Sequence, residues 1–287
     1  MQIKVGGVPE HFNLPWHLAI ENGVFDTIGI QVEWQDMHGG TGEMCQKLRD
    51  GSLDIAILLT EGIVKDIVLG NPSLIVQKFV KSPLIWGVHT GASRSDVHLS
   101  NWSKLKFAIS RYGSGSHLMA HVEAANRGVK LSDGQFVEVG NFNAAVNAIE
   151  NKKADVILWE KFTTLPFLKS GKLTRLAETV TPWPCFVVAA STEILAKHPD
   201  MVWNMLWKLR KECRHFMHDA TSIKQVAERY NLSIDEARNW FNQTEWEQDV
   251  YLSKKMLQNV LNTLSDVGVL NKQMEPEELC WNRTVVY

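Results

Sequence analysis

Two short runs of this chain have residue types that could do chemistry at their spacing: Gly39-Gly40-Thr41-Gly42 and Gly113-Ser114-Gly115-Ser116, each directly ahead of a segment with helical periodicity. The first amides of a helix have no intrahelical acceptor and lie at the positive end of its dipole. They can therefore receive a carboxylate, sulfonate or phosphate, with the hydroxyls adding donors. Plain turn and cap duty is the competing use of the same residues. Neither run continues into Gly-Lys-Ser/Thr, so neither is a P-loop. Trp159 and Glu160 pair an aromatic face with a carboxylate, which suits a flat or cationic group. Glu61 and Glu160, at the tips of two similar segments, would make an acid/base pair if they met across a cleft, or would hold an amine. His11, His38 and His117 fall on loops of the same kind. No HExxH, GxSxG or Cys/His spacing accompanies them, so no catalytic residue is assigned.

The elements that must position these groups occur twice. Residues 2–7 read as a strand, 13–25 as a helix with Pro15 in its first turn and Gly23 at its end, and 30–35 as a strand. Residues 41–51 then read as a helix, and 53–59 as a strand apolar on both faces. The same order returns as 105–110, 114–129, 135–140, 142–153 and 154–159. Asp54 before one apolar strand matches Asp155 before the other. Strands alternating with helices at this spacing predict βαβ crossovers and two mostly parallel α/β lobes. Residues 74–92 and 181–191 are β-rich crossings between them, with Trp86, Trp183 and Pro184 on these hinge candidates. The expected division is lobe one at 1–84 plus 190–287 and lobe two at 85–189. Ligands of open parallel sheets gather beyond the C-terminal strand ends, which selects the loops already named. If the lobes face each other, those loops line one cleft.

Bulk properties narrow the classes. The 287 residues carry 30 basic and 32 acidic side chains, which gives no surplus positive field for nucleic acid or an anionic membrane. Residues 223–241 read like a helix-turn-helix, but the second helix carries Asp235 and Glu236 against Arg238, the wrong sign for a phosphate backbone. Cys45, Cys185, Cys213 and Cys280 show no CxxC spacing, so no metal, cofactor or disulfide framework is expected. No apolar run is long enough to span a membrane. The N-terminal residues lack a basic stretch leading into an apolar one, so a cytoplasmic location is the expectation.

Residues 8–34, containing A-x-x-x-G-x-F-x-x-x-G-I-x-V, and 39–58, containing L-x-x-G-x-x-D-I-A, with 111–129 and 154–162, resemble the type 2 periplasmic-binding-protein-like family. The resemblance is to the branch of sulfonate, taurine, nitrate and thiamine-precursor binding proteins and fungal thiamine pyrimidine synthases. It implies two Rossmann-like lobes joined by a double-crossing hinge, a ligand cleft between them and extra C-terminal helices on lobe one. The synthases carry a cysteine-rich metal-binding segment that this chain lacks. The reading is a small-molecule-binding protein that closes on an anionic organic ligand: a sulfonate, carboxylate, phosphate or thiamine-precursor-like pyrimidine. Its expected ligand-binding residues are Asn13, Gly40, Thr41, Thr60, Glu61, Ser114, Gly115, Ser116, Asn141, Trp159 and Glu160. The alternatives are an enzyme of pyrimidine or thiamine-precursor metabolism using the same cleft, and an effector-sensing regulator acting through the C-terminal helices.

Overall fold

The computed structural model describes the backbone of residues 1–287 and the side chains of all but Val285 and Val286. The chain forms two compact units. Unit 1 is Met1–Ser82, Trp183–Asn262 and Leu270–Tyr287; unit 2 is Pro83–Pro182 with Thr263–Val269.

Unit 1 begins β1 (Gln2–Gly7), α1 (Leu14–Glu21), β2 (Gln31–Asp36), α2 (Gly40–Arg49), β3 (Ile55–Leu59) and α3 (Thr60–Val68). β1 pairs in parallel with β2 on one side and β3 on the other. The chain leaves through β4 (Ser73–Gly91). Unit 2 continues with β5 (Phe107–Ile109), α4 (Gly115–Asn126), β6 (Phe136–Glu138), α5 (Phe142–Glu150), β7 (Val156–Glu160) and α6 (Leu165–Lys169), with β5 parallel to both β6 and β7. The return is β8 (Leu173–Ser191). The doubled βαβ pattern read from the residues is present, with one addition that periodicity does not reveal. Each parallel trio is flanked by an antiparallel strand from a crossing: β3 pairs with β8 through Ile55↔Ala190 to Leu59↔Phe186, and β7 with β4 through Trp86↔Glu160 to His89↔Ile157.

The repeated aspartates have a shared cause. Asp54 Oδ2 accepts the Lys4 amide at 2.8 Å while the Asp54 amide donates to Lys4 O at 3.0 Å. Asp155 makes the same pair with Lys106, both at 2.8 Å. Each carboxylate therefore fixes the register of the buried strand that follows it against the first strand of its own unit, where a one-residue slip would turn every apolar side chain outward. Asp155 also pairs with Arg94 at 2.6 Å.

After β8 come α7 (Thr192–Lys197), α8 (Pro199–His218), α9 (Ser222–Tyr230), α10 (Ile234–Phe241), β9 (Tyr251–Leu252), α11 (Lys254–Asp266) and β10 (Val285–Val286). α8 buries Val202, Leu206, Leu209, Cys213 and Phe216, the stripe its spacing predicts. The helix-turn-helix-like pair is α9 and α10. Ser233 and Glu236 do form a capping box, but α10 turns Ala237 and Trp240 inward, with Trp240 fully buried against His11. A helix whose indole is packed into its own domain is a corner of the core rather than a groove reader. Among the described residues no helix is long and apolar enough to cross a membrane.

Candidate functional site

At the end of β1 the chain makes a short turn through His11–Asn13 into α1, with Pro15 in its first turn. Asn13 is 1% exposed; its Nδ2 donates to Val8 O at 2.7 Å, while its Oδ1 is enclosed with no hydrogen bond. β3 runs beside β1, so Thr60 and Glu61 emerge at the same edge. They are not on a loop, as the sequence suggests, but open α3, whose Ile63, Val64, Ile67 and Val68 are buried. Thr60 Oγ1 donates to Pro184 O at 2.6 Å. Glu61 is 3% exposed; its Oε2 accepts the Trp183 indole N–H at 2.8 Å, and its Oε1 has no partner. Burial pushes the Glu61 carboxyl up to about 7, against the lowering effect of its hydrogen bonds. This edge of unit 1 therefore presents acceptors. Phe12 packs on Phe186 at 5.0 Å, and Phe186 pairs with Leu59, which joins the two turns through one aromatic contact.

The Gly39–Gly42 run does something other than wait for an anion. Gly40 has φ +64°, a conformation that glycine adopts without strain, and Glu43 reaches back so that its Oε2 accepts the Gly39 amide at 2.8 Å. A carboxylate already occupies this helix start. Thr41 Oγ1 accepts the Leu59 amide at 3.3 Å and its methyl faces α3, where a Cβ placed on Gly62 would lie 2.3 Å from Thr41 Cγ2. Gly40 and Thr41 thus hold α2 against β3 and α3. Gly62→Ala should destabilise the protein by about 1 kcal/mol, the helix-propensity gain being outweighed by the forced shift of Thr41. Urea unfolding that finds the variant as stable as the parent would refute that packing.

Unit 2 has the opposite character. Ser114 is the N-cap of α4, its Oγ accepting the His117 amide at 3.4 Å. Ser116 Oγ accepts the Ser110 amide at 3.0 Å and lies 3.0 Å from Ser114 Oγ. His117 Nδ1 accepts the Gly113 amide at 3.2 Å. The hydroxyls are thus engaged inside the turn. The Gly115 and Ser116 amides, first in the helix, point away from any intrahelical carbonyl, and the first turn of α4 carries no acid. Asn141 caps α5, its Oδ1 accepting the Ala144 amide at 3.0 Å. Ser114, Gly115 and Ser116 keep helix-end geometry, and Asn141 is a cap of the ordinary kind.

Trp159 and Glu160, singled out by divergence of the repeat, are both occupied. The Trp159 ring packs on Phe142 at 5.1 Å, within an apolar cluster that includes Ala145, Ile149 and Phe167. Glu160 is 5% exposed, and its Oε2 accepts the Phe162 amide at 2.9 Å, the Thr163 amide at 2.7 Å and Thr163 Oγ1 at 2.8 Å. Burial raises its carboxyl above the usual range in spite of these bonds. Glu61 and Glu160 are not matching tips: one opens a helix, the other ends a strand and closes a turn. Of the histidines, His11 stacks on Trp240 at 4.3 Å with rings 5° apart, and burial pushes it down to about 3, so it is neutral at ordinary pH. His38 is exposed, and His117 lies under the α4 turn. Trp86 is fixed by its indole N–H on Thr181 Oγ1 at 3.0 Å. Sequence reasoning missed Glu43 as an occupant of its own helix start, although a Glu four residues after Gly39 was there to be read.

Residues 86–179 match the Ca3427-like PBP family. Along its whole length the chain is similar to the CA3427 gene product of Candida albicans, described as defining a family with the generic periplasmic binding protein fold. The two share 28% identity over 100% of this chain and 96% of that one, at a TM-score of 0.88. The alkanesulfonate-binding protein SsuA from Xanthomonas axonopodis pv. citri, bound to MOPS, is 15% identical, with 98% of each chain covered and a TM-score of 0.80. PhnD1 from Prochlorococcus marinus, in complex with methylphosphonate, is 12% identical, covering 94% of this chain and 99% of that one at a TM-score of 0.64. No curated protein sequence gives a match. The chain therefore has the periplasmic binding protein fold, and residues 86–179 are similar in sequence to the Ca3427-like PBP family.

Proposed function

We propose that this protein binds a small organic anion, with the acidic group received at the N-terminus of α4. The carrying observation is the difference between the two glycine-rich helix starts. In α2 the amide of Gly39, just ahead of the helix, is taken by Glu43 from within the first turn, whereas the first turn of α4 has no carboxylate and leaves the Gly115 and Ser116 amides outside the helical ladder, Glu138 reaching only the Tyr112 amide at 3.3 Å. The hydrogen bonds among Ser110, Ser114 and Ser116 hold that turn in shape before any ligand arrives, which lowers the ordering cost of binding. Similar folds described as binding an alkanesulfonate and a methylphosphonate support the ligand class.

On unit 1, the enclosed Asn13 Oδ1 and Glu61 Oε1 are acceptors without donors. They favour a ligand, or a second part of one, that carries N–H groups, such as an amine or a heterocyclic N–H. The proposal includes movement of the two units toward each other on binding, driven by the ligand's greater affinity for the closed form.

A thermal-shift panel of alkanesulfonates, phosphonates, carboxylates and aminopyrimidines tests the ligand class. A saturable rise of several degrees is expected for at least one anionic compound, since ligand at about 100 times Kd adds about 2.7 kcal/mol. A panel in which only neutral compounds shift the transition would overturn the anion assignment. Small-angle scattering with the best compound should show a smaller radius of gyration, and an unchanged value would remove the closure.

A further inference from the structure

Unit 1 contains a second place where donors outnumber acceptors, far along the chain from the loops above. Arg210, on the inward side of α8, is 8% exposed and has no carboxylate partner among the described residues. Its Nη1 donates to Gln77 Oε1 on β4 at 2.6 Å, its one hydrogen bond among the described residues. Gln77 is 1% exposed and must turn its oxygen toward the guanidinium, which leaves its Nε2 enclosed without an acceptor. No atom of Arg210 is among the enclosed polar atoms lacking partners, so the rest of its fork reaches the surface. The guanidinium lies over the Trp203 indole at 5.6 Å. Trp203 stands 6.3 Å from Trp281, over which Arg283 lies at 5.3 Å.

The acids that could balance Arg210 are committed elsewhere. Glu247 is paired with Lys78 at 2.5 Å and accepts the Gln248 and Asp249 amides at 2.9 and 3.0 Å. Asp200 is paired with Arg283 at 2.6 Å. Asp249, which is exposed, and Glu247 act on Arg210 only through their fields. An enclosed cation normally has a counter-charge, because desolvation without one is costly. Burial here lowers the affinity of Arg210 for its proton, and the fields of Cys213, Asp249 and Glu247 offset this only in part.

We propose that the exposed edge of the Arg210 guanidinium, beside the Trp203 indole, is a binding site for a small inorganic oxyanion, phosphate or sulfate. The open edge of the guanidinium supplies parallel N–H donors that match two oxygens of such an anion, and Gln77 Oε1 holds the fork in place from behind. The Trp203 indole covers one side of the guanidinium, which strengthens the pairing there. This site is independent of the α4 reading and stands or falls without it.

Thermal unfolding of the full chain at constant ionic strength, with phosphate replacing chloride, tests the proposal. A saturable rise in Tm is expected for the parent, for Arg210→Lys at an affinity at least about fivefold weaker because the fork is lost, and not for Arg210→Met. Gly115→Pro, which removes one amide donor at the α4 start, should keep the Arg210-dependent response, so failure of one site is distinguishable from failure of the other. Crystals soaked in selenate give a readout that needs no variant: an anomalous peak beside the Arg210 guanidinium is expected. Arg210→Met retaining the phosphate response, identical behaviour of phosphate and chloride on the parent, or selenate absent from Arg210 would overturn it.

Discussion

Glu160→Ala should lower the free energy of unfolding by about 3 kcal/mol, whereas Glu160→Gln should cost less than about 1 kcal/mol. The alanine variant leaves the Phe162 amide, the Thr163 amide and Thr163 Oγ1 without their shared acceptor, at a turn where Phe162 and Thr164 are themselves buried. Glutamine keeps a carbonyl oxygen in the same place and removes a charge whose burial is unfavourable, as the raised carboxyl shows. Urea denaturation of the two variants separates a turn-closing residue from a ligand-contacting one. Equal and small losses for both would mean that Glu160 is not closing the turn.

The second large effect depends on pH. Glu61 has a carboxyl raised from 4.5 to about 7 in the folded chain, so the native state holds this proton more tightly than the unfolded state. Its contribution is most favourable below the unfolded value, where both states are protonated. It declines as pH rises from 4.5 toward 7, and the loss is constant above that. At 1.36 kcal/mol per unit the decline is about 3 kcal/mol. Glu61→Gln, which cannot ionise and still offers an oxygen to the Trp183 indole N–H, should be about 2 to 3 kcal/mol more stable than the parent at pH 8 and nearly equal to it at pH 4. Parallel stability curves for parent and variant across that window would show that Glu61 is not enclosed in the manner described.

The sequence carried the repeated architecture well because its signals are local. Alternating strands and helices, Pro15 and Gly23 at the ends of α1, and Asp54 and Asp155 ahead of their strands can all be read within a few residues, and each has its expected place. The apolar stripe of α8 and the capping box at Ser233 and Glu236 belong to the same class. What escaped reading depends on distant partners. Nothing within reach of Glu61 announces that an indole 122 positions away will bind it, and nothing near Gln77 announces Arg210, 133 positions on. The segment from Leu59 to Gly62 misleads for a different reason: Thr60, Glu61 and Gly62 break the apolar strand as a loop would, and neither proline nor a capping side chain marks the helix that opens at Thr60. Glycine-rich helix starts are ambiguous by nature, since turn geometry and ligand approach call for the same residue. At Gly39–Gly42 the neighbouring Glu43 takes the free amide, and at Gly113–Ser116 the first turn of α4 carries no acid, which is why the proposed anion is assigned there.

Isothermal titration of the best anionic ligand into the parent and into Gly115→Pro tests that assignment most directly. Proline is well tolerated at the first position of a helix, and Ser114 already has the extended backbone, φ −81° and ψ 167°, that a following proline requires. The substitution therefore deletes one amide donor while keeping the helix start. Binding weakened by at least about tenfold in a variant of unchanged circular dichroism is the predicted result, as expected for a lost charge-assisted hydrogen bond. An affinity equal to that of the parent would contradict the placement of the anion at α4.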